Sequence, residues 1–463
     1  MAGSAEAVAV GERYFARENV SLRLLGVALI GPSQAPTALP VLSRAADWAG
    51  FDPAENKSNA DTLILVEQPP SRAAARTLLA RAAHAQMNVM LLEHGVLRPM
   101  TIGDVIGRAL ASVDWERIRA TIAGKRILIT GGGGSIGGEL ARRVATLGPA
   151  SLCILENSEF NLFAIGRELP NATLALADIR DEAAVKRWFA REKPEIIFHA
   201  AALKQVPLVE AHPCEGVRTN VGATRIVADA AAAIGAHMIF VSTDKAVNPS
   251  GVMGATKRLA EMYCQALDRE SAGSRFLTVR LGNVLGSTGS VTPLFENQIA
   301  SGGPLTVTDP SVTRFFITIP QAADCLLQAA AAGIASRSGR GAAFVLDMGE
   351  PLAVVELARK MIQLKGLRPD VDIDITFVGL RPGEKLHEEL VASDEWREAN
   401  PASGVMAAAS SPRGLADLNE TIDRLTMLAR TGADADVTAL LHAAVAPGKP
   451  SEEADRPRVA AAG

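Results

Sequence analysis

The feature that most constrains this chain is an apolar run, Arg126-Ile-Leu-Ile-Thr130, that leads directly into Gly131-Gly-Gly-Gly-Ser-Ile-Gly137 and then Gly138-Glu-Leu-Ala-Arg-Arg-Val-Ala145. Strand, glycine turn and helix follow one another without a break, which is the context a dinucleotide-binding loop requires. Gly131 is placed for the tight turn, Gly134 for close approach of backbone to a pyrophosphate, and Gly137 for packing of the helix on the strand. Ser135 and Ile136 fall in the first helical turn, where free N–H groups and a partial positive charge would face the phosphates.

The chain around this loop reads as a doubly wound α/β Rossmann domain. Apolar runs at 126–130, 151–155, 173–177, 196–200, 237–242 and 276–280 alternate with helical patterns, which predicts a parallel sheet covered on both faces. Beyond about residue 281 the chain becomes irregular, and a helix is expected at 321–332. A length of 463 residues exceeds one ordinary domain. Residues 1–20 read as a disordered N-terminus, and 21–122 as a small α/β unit with strands at 25–30, 62–66 and 89–92. The first of these ends in Gly31-Pro-Ser-Gln-Ala-Pro36, which lacks the glycines of a cofactor loop, so the unit is expected to serve assembly or regulation. Residues 123–395 hold the dinucleotide and substrate regions. Residues 396–446 form an Ala-rich helical segment with an amphipathic pattern at 415–430, and 447–463 a disordered tail.

Composition narrows the class. Hydrophobic residues at 48% and charged residues at 21% fit a folded protein. A net charge of −4 with no dense basic run argues against nucleic-acid binding. Cys153, Cys214, Cys264 and Cys325 stand alone, with no CxxC pair, so neither a metal site nor a redox pair is expected and a reducing compartment is. The N-terminus lacks a basic start, and the apolar run at 24–30 is too short to cross a bilayer, so a cytoplasmic protein without a transmembrane segment is expected.

Further residues complete the expected cofactor site. Glu156 ends the second strand, where a carboxylate can bind the adenosine ribose and repel a 2′-phosphate, favouring NAD over NADP. Asp178 and Ile179 end the third strand, where they could hold the adenine. Ala200, Ala201 and Ala202 end the fourth, where small residues let the cofactor lie close. The fifth strand runs into Thr243-Asp-Lys245, and ligands bind beyond the carboxyl ends of such strands. Next comes Val252-Met-Gly-Ala-Thr-Lys257.

The GxxGxxG spacing resembles that of the short-chain dehydrogenase superfamily, most members of which carry Tyr-x-x-x-Lys at this last position. Here Lys257 is present but Met253 replaces the tyrosine, and a thioether moves no protons. Acid–base work therefore falls to Thr243, Asp244 and Lys245, or the site is inactive.

Six stretches carry a closer resemblance: Leu128–Gly137, His199-Ala-Ala-Ala-Leu-Lys-Gln-Val-Pro207, Ser242-Thr-Asp-Lys-Ala-Val-Asn-Pro249, Val252–Arg258, Arg280-Leu-Gly-Asn-Val-Leu-Gly286 and Leu380-Arg-Pro-Gly-Glu-Lys-Leu386. Together they resemble the bacterial polysaccharide-biosynthesis UDP-N-acetylglucosamine 4,6-dehydratases of capsule, O-antigen and glycan pathways, in the branch with methionine in place of tyrosine. The resemblance spans roughly residues 125–390. Long members of that branch begin with several transmembrane helices, and this sequence contains no such run, so it resembles their cytosolic part.

The resemblance implies a tightly bound NAD or NADP that copurifies, and a UDP-sugar substrate. Hydride would leave C4, water would be eliminated across C5 and C6, and hydride would return to C6. It assigns Asp244 as the acid at C6, Lys245 as the base at C5, Thr243 as a relay for the C4 hydroxyl proton, and Lys257 to the ribose. Asn283, Arg314 and Arg381 are candidates for the nucleotide, since a guanidinium fork suits a diphosphate. Glu384 is a candidate for the UDP ribose, and Lys204 is placed to reach either ligand. Relatives in the superfamily commonly pair through helices, so a homo-oligomer is expected. Two other readings stand beside this one: a nucleotide-sugar C4 epimerase, and a catalytically inactive Rossmann scaffold for which Met253 is the best support.

Overall fold

The computed structural model describes residues 1–17, 24, 27–30, 39, 41–45, 51–53, 60–66, 72–93, 96–106, 113–336, 339–402 and 404–446. The chain divides into two compact units.

The larger unit comprises Ala109–Gly289, Ile317–Glu350 and Leu380–Gly463. Its sheet has nine strands: β1 (Arg126–Thr130), β2 (Ser151–Glu156), β3 (Thr173–Leu176), β4 (Ile196–His199), β5 (His237–Thr243), β6 (Phe276–Leu281), β7 (Ala343–Leu346), β8 (Trp396–Ala402) and β9 (Val405–Ala409). Their spatial order is β8-β9-β7-β6-β5-β4-β1-β2-β3. Neighbours from β3 through β7 are parallel, while β9 runs antiparallel to both β7 and β8. The register sets Ile127 beside Leu152 and Ile196, so the apolar strand centres align. These strands lack in/out alternation because both faces are covered: Ile127, Leu128, Ile129, Ile197 and Phe198 are all buried. Strand order reverses between β1 and β4, and a ligand crevice opens at such a switch point.

Helix α1 (Ser135–Thr146) buries Leu140, Ala141 and Val144, a one-sided stripe at helical spacing. Helix α2 (Val252–Glu270) follows β5 and is buried along most of its length. Two C-terminal helices, α3 (Leu415–Arg430) and α4 (Asp434–Val445), insert Leu418, Ile422, Leu425, Leu441 and Val445 into the same core as Val221, Leu259 and Tyr263.

The expectation that 396–446 is wholly helical is corrected by β8 and β9, which form an antiparallel pair. Val405–Ala409 has a helix-favouring composition, but pairing with β7 and burial of Ala407, Ala408 and Ala409 override that preference.

The smaller unit comprises Met1–Arg108, Ser290–Phe316 and Pro351–Gly379. Its six-stranded sheet runs in the order Val41–Ala45, Val27–Ile30, Ala2–Gly3, Thr62–Leu65, Asn88–Glu93, Val96–Pro99, with only the last strand antiparallel to its neighbour. The expectation of disorder at 1–20 is therefore corrected for the described residues. Ala2–Gly3 is a central strand paired on both sides, and the helix Ala5–Arg17 buries Val8. The acidic residues of that stretch hid its apolar face.

The expected boundary at 122 also moves. Helix Trp115–Ile122, capped by Asp114, buries Ile118 and Ile122 and places Trp115 under the Arg143 guanidinium at 5.7 Å, so it belongs to the larger unit. Conversely, helix Val354–Leu364 packs on Arg72–His84 within the smaller unit, so part of the expected 123–395 domain belongs there. Residues 31–36 and 447–463 lie outside the described set.

Among the described residues, no helix is long and apolar enough to cross a membrane, and no group of three or more His, Cys, Asp or Glu could hold a metal ion. All four cysteines are free and buried.

Candidate active site

The glycine loop lies at the switch point. Gly131 has φ +65°, and a Cβ there would come within 2.7 Å of the Ala201 backbone, so strand ends β1 and β4 touch through a residue that must be glycine. A Cβ on Gly137 would run into the Gly131 carbonyl oxygen. Gly134 caps α1 with no side-chain hydrogen bond, leaving the N–H groups of the first turn to a ligand. A Cβ at Gly134 would meet only the Gly131 carbonyl oxygen, at 3.3 Å. The cradle therefore fits a pyrophosphate, with Ser135, Ile136 and Gly137 in its first turn. Gly137→Ala should force α1 off β1 and give purified protein with its dinucleotide lost, measured as ligand released on denaturation relative to the unaltered chain.

Glu156 does more than the sequence suggests. Its Oε2 accepts the Gly133 N–H, and its Oε1 the N–H groups of Asn157 and Ser158, each at 3.1 Å. The residue is 7% exposed. A carboxylate has about four lone-pair sites, so three backbone donors bind it to the loop and leave one site for a ribose hydroxyl. Asp178 is clamped by Arg180, whose Nε and Nη2 lie 2.8 and 2.6 Å from Oδ2. Burial pushes the Asp178 carboxyl up, but the Arg180 guanidinium outweighs it and holds the group below its usual range. Ile179 beside it is buried. Ala200 and Ala201 are half-buried and Ala202 is exposed at the end of β4.

A polar chain missed from the sequence underlies this crevice. Thr130 Oγ1 lies 2.7 Å from His199 Nδ1, and His199 Nε2 lies 3.0 Å from Thr224 Oγ1. The Thr224 hydroxyl donates to the Asn220 carbonyl at 2.8 Å. Thr224 having used its proton, His199 donates from Nε2 and accepts from Thr130 at Nδ1, which is the neutral tautomer. Burial, assisted by the Lys257 charge, lowers the His199 pKa to about 3. The Asn220 side chain pairs with both the N–H and the carbonyl of Leu203, at 2.8 and 2.9 Å, and donates to Thr256 Oγ1 at 3.0 Å. It sits on a π-helical turn, Val217–Ala223, a distortion frequent at functional sites. The only sequence signal was a histidine and an asparagine inside otherwise apolar stretches.

Thr243, Asp244 and Lys245 gather where β5 ends. Thr243 caps a short 3₁₀ turn, Asp244–Ala246. The Thr243 hydroxyl donates to Asp244 Oδ1 at 2.9 Å, and the Lys245 ammonium donates to the same oxygen at 2.9 Å and to Asn283 Oδ1 at 2.8 Å. Asp244 is fully buried, and its Oδ2 has no hydrogen-bond partner. One oxygen thus orients the carboxylate and the other is left for a substrate hydroxyl. Met253 is 4% exposed, and its N–H donates to Glu210 Oε1 at 3.3 Å. A Cβ on the next residue, Gly254, would strike the Lys245 carbonyl oxygen, so α2 can pack directly on the Thr243–Lys245 turn. Lys257 stands apart from this cluster. Its ammonium donates to the Val241 carbonyl at 2.8 Å and lies 4.0 Å from the Phe240 ring centre, and burial lowers its pKa to about 8.

The expected nucleotide residues divide. Asn283 joins the reacting cluster. Lys204 donates to Ser287 Oγ at 3.2 Å, and burial lowers its pKa. Arg381 and Glu384 form one turn, with the Arg381 N–H 3.3 Å from Glu384 Oε2. Arg314 belongs to the smaller unit, where it is buried and donates to its neighbouring Thr313 carbonyl at 2.8 Å.

A glycine loop at the switch point of a seven-stranded parallel array, with a Thr-Asp-Lys turn at the end of β5, defines a dinucleotide-binding protein of the doubly wound Rossmann class. Residues 127–410 match the family model described as polysaccharide biosynthesis protein, and the chain belongs to that family. It is 43% identical over 312 residues to the capsular polysaccharide biosynthesis protein CapD of Staphylococcus aureus, covering 66% of this chain and 51% of CapD. The chain thus spans about half the length of that relative. It is 36% identical over 289 residues to a protein named UDP-glucose 4-epimerase from Rickettsia conorii, covering 60% of this chain and 80% of that one. Among solved structures, Pen from Bacillus thuringiensis is 35% identical with TM-score 0.57, covering 62% of this chain and 87% of Pen.

Proposed function

We propose that the chain is a nucleotide-sugar 4,6-dehydratase that converts UDP-N-acetylglucosamine to the 4-keto-6-deoxy sugar for surface polysaccharide or glycan biosynthesis. The observation that carries this reading is Asp244: buried, oriented through one oxygen by Thr243 and Lys245, with its other oxygen unpartnered, beside a methionine where a tyrosine would do the proton transfer.

The glycine loop, Glu156 and the first turn of α1 would hold a nicotinamide dinucleotide, with Lys257 at its ribose. When bound, that group supplies a hydride acceptor for C4 and a donor for C6. The chain's own residues move the protons. Thr243 passes the C4 hydroxyl proton to Asp244, whose carboxylate then protonates the departing C6 oxygen. Lys245 removes the C5 proton, made acidic by the neighbouring ketone, and later returns a proton to C5. Asn283 fixes the Lys245 ammonium, and Lys204, Arg381 and Glu384 are assigned to the nucleotide.

A C4 epimerase is the second reading, favoured by the Rickettsia relative's name. Mass spectrometry of UDP-N-acetylglucosamine incubated with the protein separates them. A dehydratase yields a product lighter by one water with no dinucleotide added. A product of unchanged mass and altered C4 configuration would establish the epimerase, and an unaltered sugar would end both readings.

A further inference from the structure

To act as the base at C5, Lys245 must be a neutral amine, yet its ammonium sits among acceptors. Its Nζ is 2.9 Å from Asp244 Oδ1, 2.8 Å from Asn283 Oδ1 and 3.7 Å from Glu388 Oε1. The Glu388 side chain is 3% exposed. Asp244 is already required as the group that moves a proton from the C4 oxygen to the C6 oxygen. The proton that Lys245 sheds needs a different acceptor, and Glu388 is the carboxylate besides Asp244 that lies within 4 Å of the Lys245 ammonium.

We propose that Glu388 is a positioning residue that takes and holds the Lys245 proton, so that Lys245 meets C5 as an amine; this rests on the dehydratase reading above. A separation of 3.7 Å becomes a hydrogen bond by a small side-chain rotation or through one bridging water. The cleft lined by Lys245, Met253, Glu388, Glu210, Ser250 and Lys385 has space for about one water. The charged groups facing the pair are Asp244, Glu210 and Lys385. Moving the proton from Lys245 to Glu388 leaves the total charge of the cluster unchanged at one negative, so it requires no new counter-ion in a buried site.

The steps balance. Glu388 takes a proton from the Lys245 ammonium, giving a carboxylic acid and an amine. The amine takes the C5 proton, the C5–H electron pair forms the C5–C6 double bond, and the C6–O bond breaks. The leaving oxygen takes the proton that Asp244 received from the C4 hydroxyl, and water departs. Lys245 returns its proton to C5 as hydride reaches C6, and Glu388 then gives its proton back.

Glu388→Gln tests this, assayed with UDP-N-acetylglucosamine by product mass and by absorbance at the reduced-nicotinamide band. The expected result is a fall in kcat of about 10²-fold with KM little changed, while the C4 oxidation persists and reduced nicotinamide accumulates on the enzyme. The rate of the variant should climb about tenfold per pH unit, because solvent base must now take the Lys245 proton, whereas the unaltered enzyme is flat over the same range. Glu388→Asp should recover part of the rate and the flat profile. A full rate in Glu388→Gln, or equal loss of both half-reactions with an unchanged pH profile, overturns the proposal. If Glu388→Gln shows no cooperative thermal unfolding, Glu388→Asp decides alone: a lowered rate with reduced nicotinamide accumulating supports it, and an unaltered rate overturns it. An unaltered enzyme that releases no water from the sugar is a failure of the dehydratase reading, not of Glu388.

Discussion

Asp244→Asn should lower the rate of water loss from UDP-N-acetylglucosamine by about 10³-fold, and Lys245→Met should do the same. The asparagine keeps the size and can keep the Thr243 and Lys245 contacts at one atom, so the fold should survive. It cannot accept the C4 hydroxyl proton and return it to the leaving oxygen. Asp244 has no substitute at the tyrosine position, which is Met253, and the His199 imidazole is fixed as a neutral acceptor and donor beneath the cofactor crevice. Methionine at Lys245 approximates the aliphatic length without the amine and also leaves Asp244 Oδ1 without its cation. The two variants should differ in one respect. Lys245→Met should still oxidise C4 and trap reduced nicotinamide, whereas Asp244→Asn should slow that oxidation as well. Both variants at full rate, with normal melting curves, would place the chemistry elsewhere.

Arg280→Met should cost about 3–5 kcal/mol of stability, which is a fall of roughly 5–8 °C in melting temperature for a unit of this size. Arg280 is fully buried in β6 and lies 2.7 Å from both Glu261 on α2 and Glu395 just before β8. Arg258 adds a second cation to the same two carboxylates, at 3.2 and 2.9 Å. Removing Arg280 leaves two buried carboxylates with one partial partner, and unpaired buried charge is more costly than an absent pair. Replacing Arg258, Glu261 and Glu395 together with Arg280 by apolar residues should therefore restore most of the loss.

The same network sets an acid limit. Burial pushes Glu395 up, but the Arg280 hydrogen bonds and charge outweigh it and hold the group at about 2, against an ordinary value of 4.5. Its folded pKa is depressed, so its contribution is complete above about 4.5 and disappears as pH falls toward 2. The amount is on the order of 3 kcal/mol, and Arg280→Met should flatten that part of the stability–pH curve. Arg280 Nη1 also donates to the Leu390 carbonyl at 3.3 Å, anchoring the segment that carries Glu388. The variant should for that reason lose rate at temperatures where it remains folded.

How far the sequence could be read depends on whether the relevant residues are neighbours along the chain. The loop Gly131–Gly137 was legible because strand, turn and helix are contiguous, and β1 and α3 appear at the residues their patterns marked. The reacting turn Thr243–Lys245 was legible because it directly follows an apolar strand. Ala2–Gly3 was read as disordered because two residues carry no periodicity, and only pairing with Val27–Ile30 and Thr62–Leu65 makes them a strand. Val405–Ala409 lay within the segment 396–446 read as Ala-rich and helical, and only pairing with β7 makes it a strand.

Taken alone, the sequence determined the doubly wound sheet, the dinucleotide loop and the absence of a tyrosine acid, since each is written in short-range spacing and residue type. The tertiary structure decided the rest: that Glu156 first braces the glycine loop, that His199 and Asn220 form a neutral polar chain beneath it, and that Glu388 comes to lie beside Lys245 from 143 positions away. Contacts over such separations depend on which strand pairs with which and which loop returns to the crevice. Those choices are made by burial of the whole core, and no local pattern encodes them.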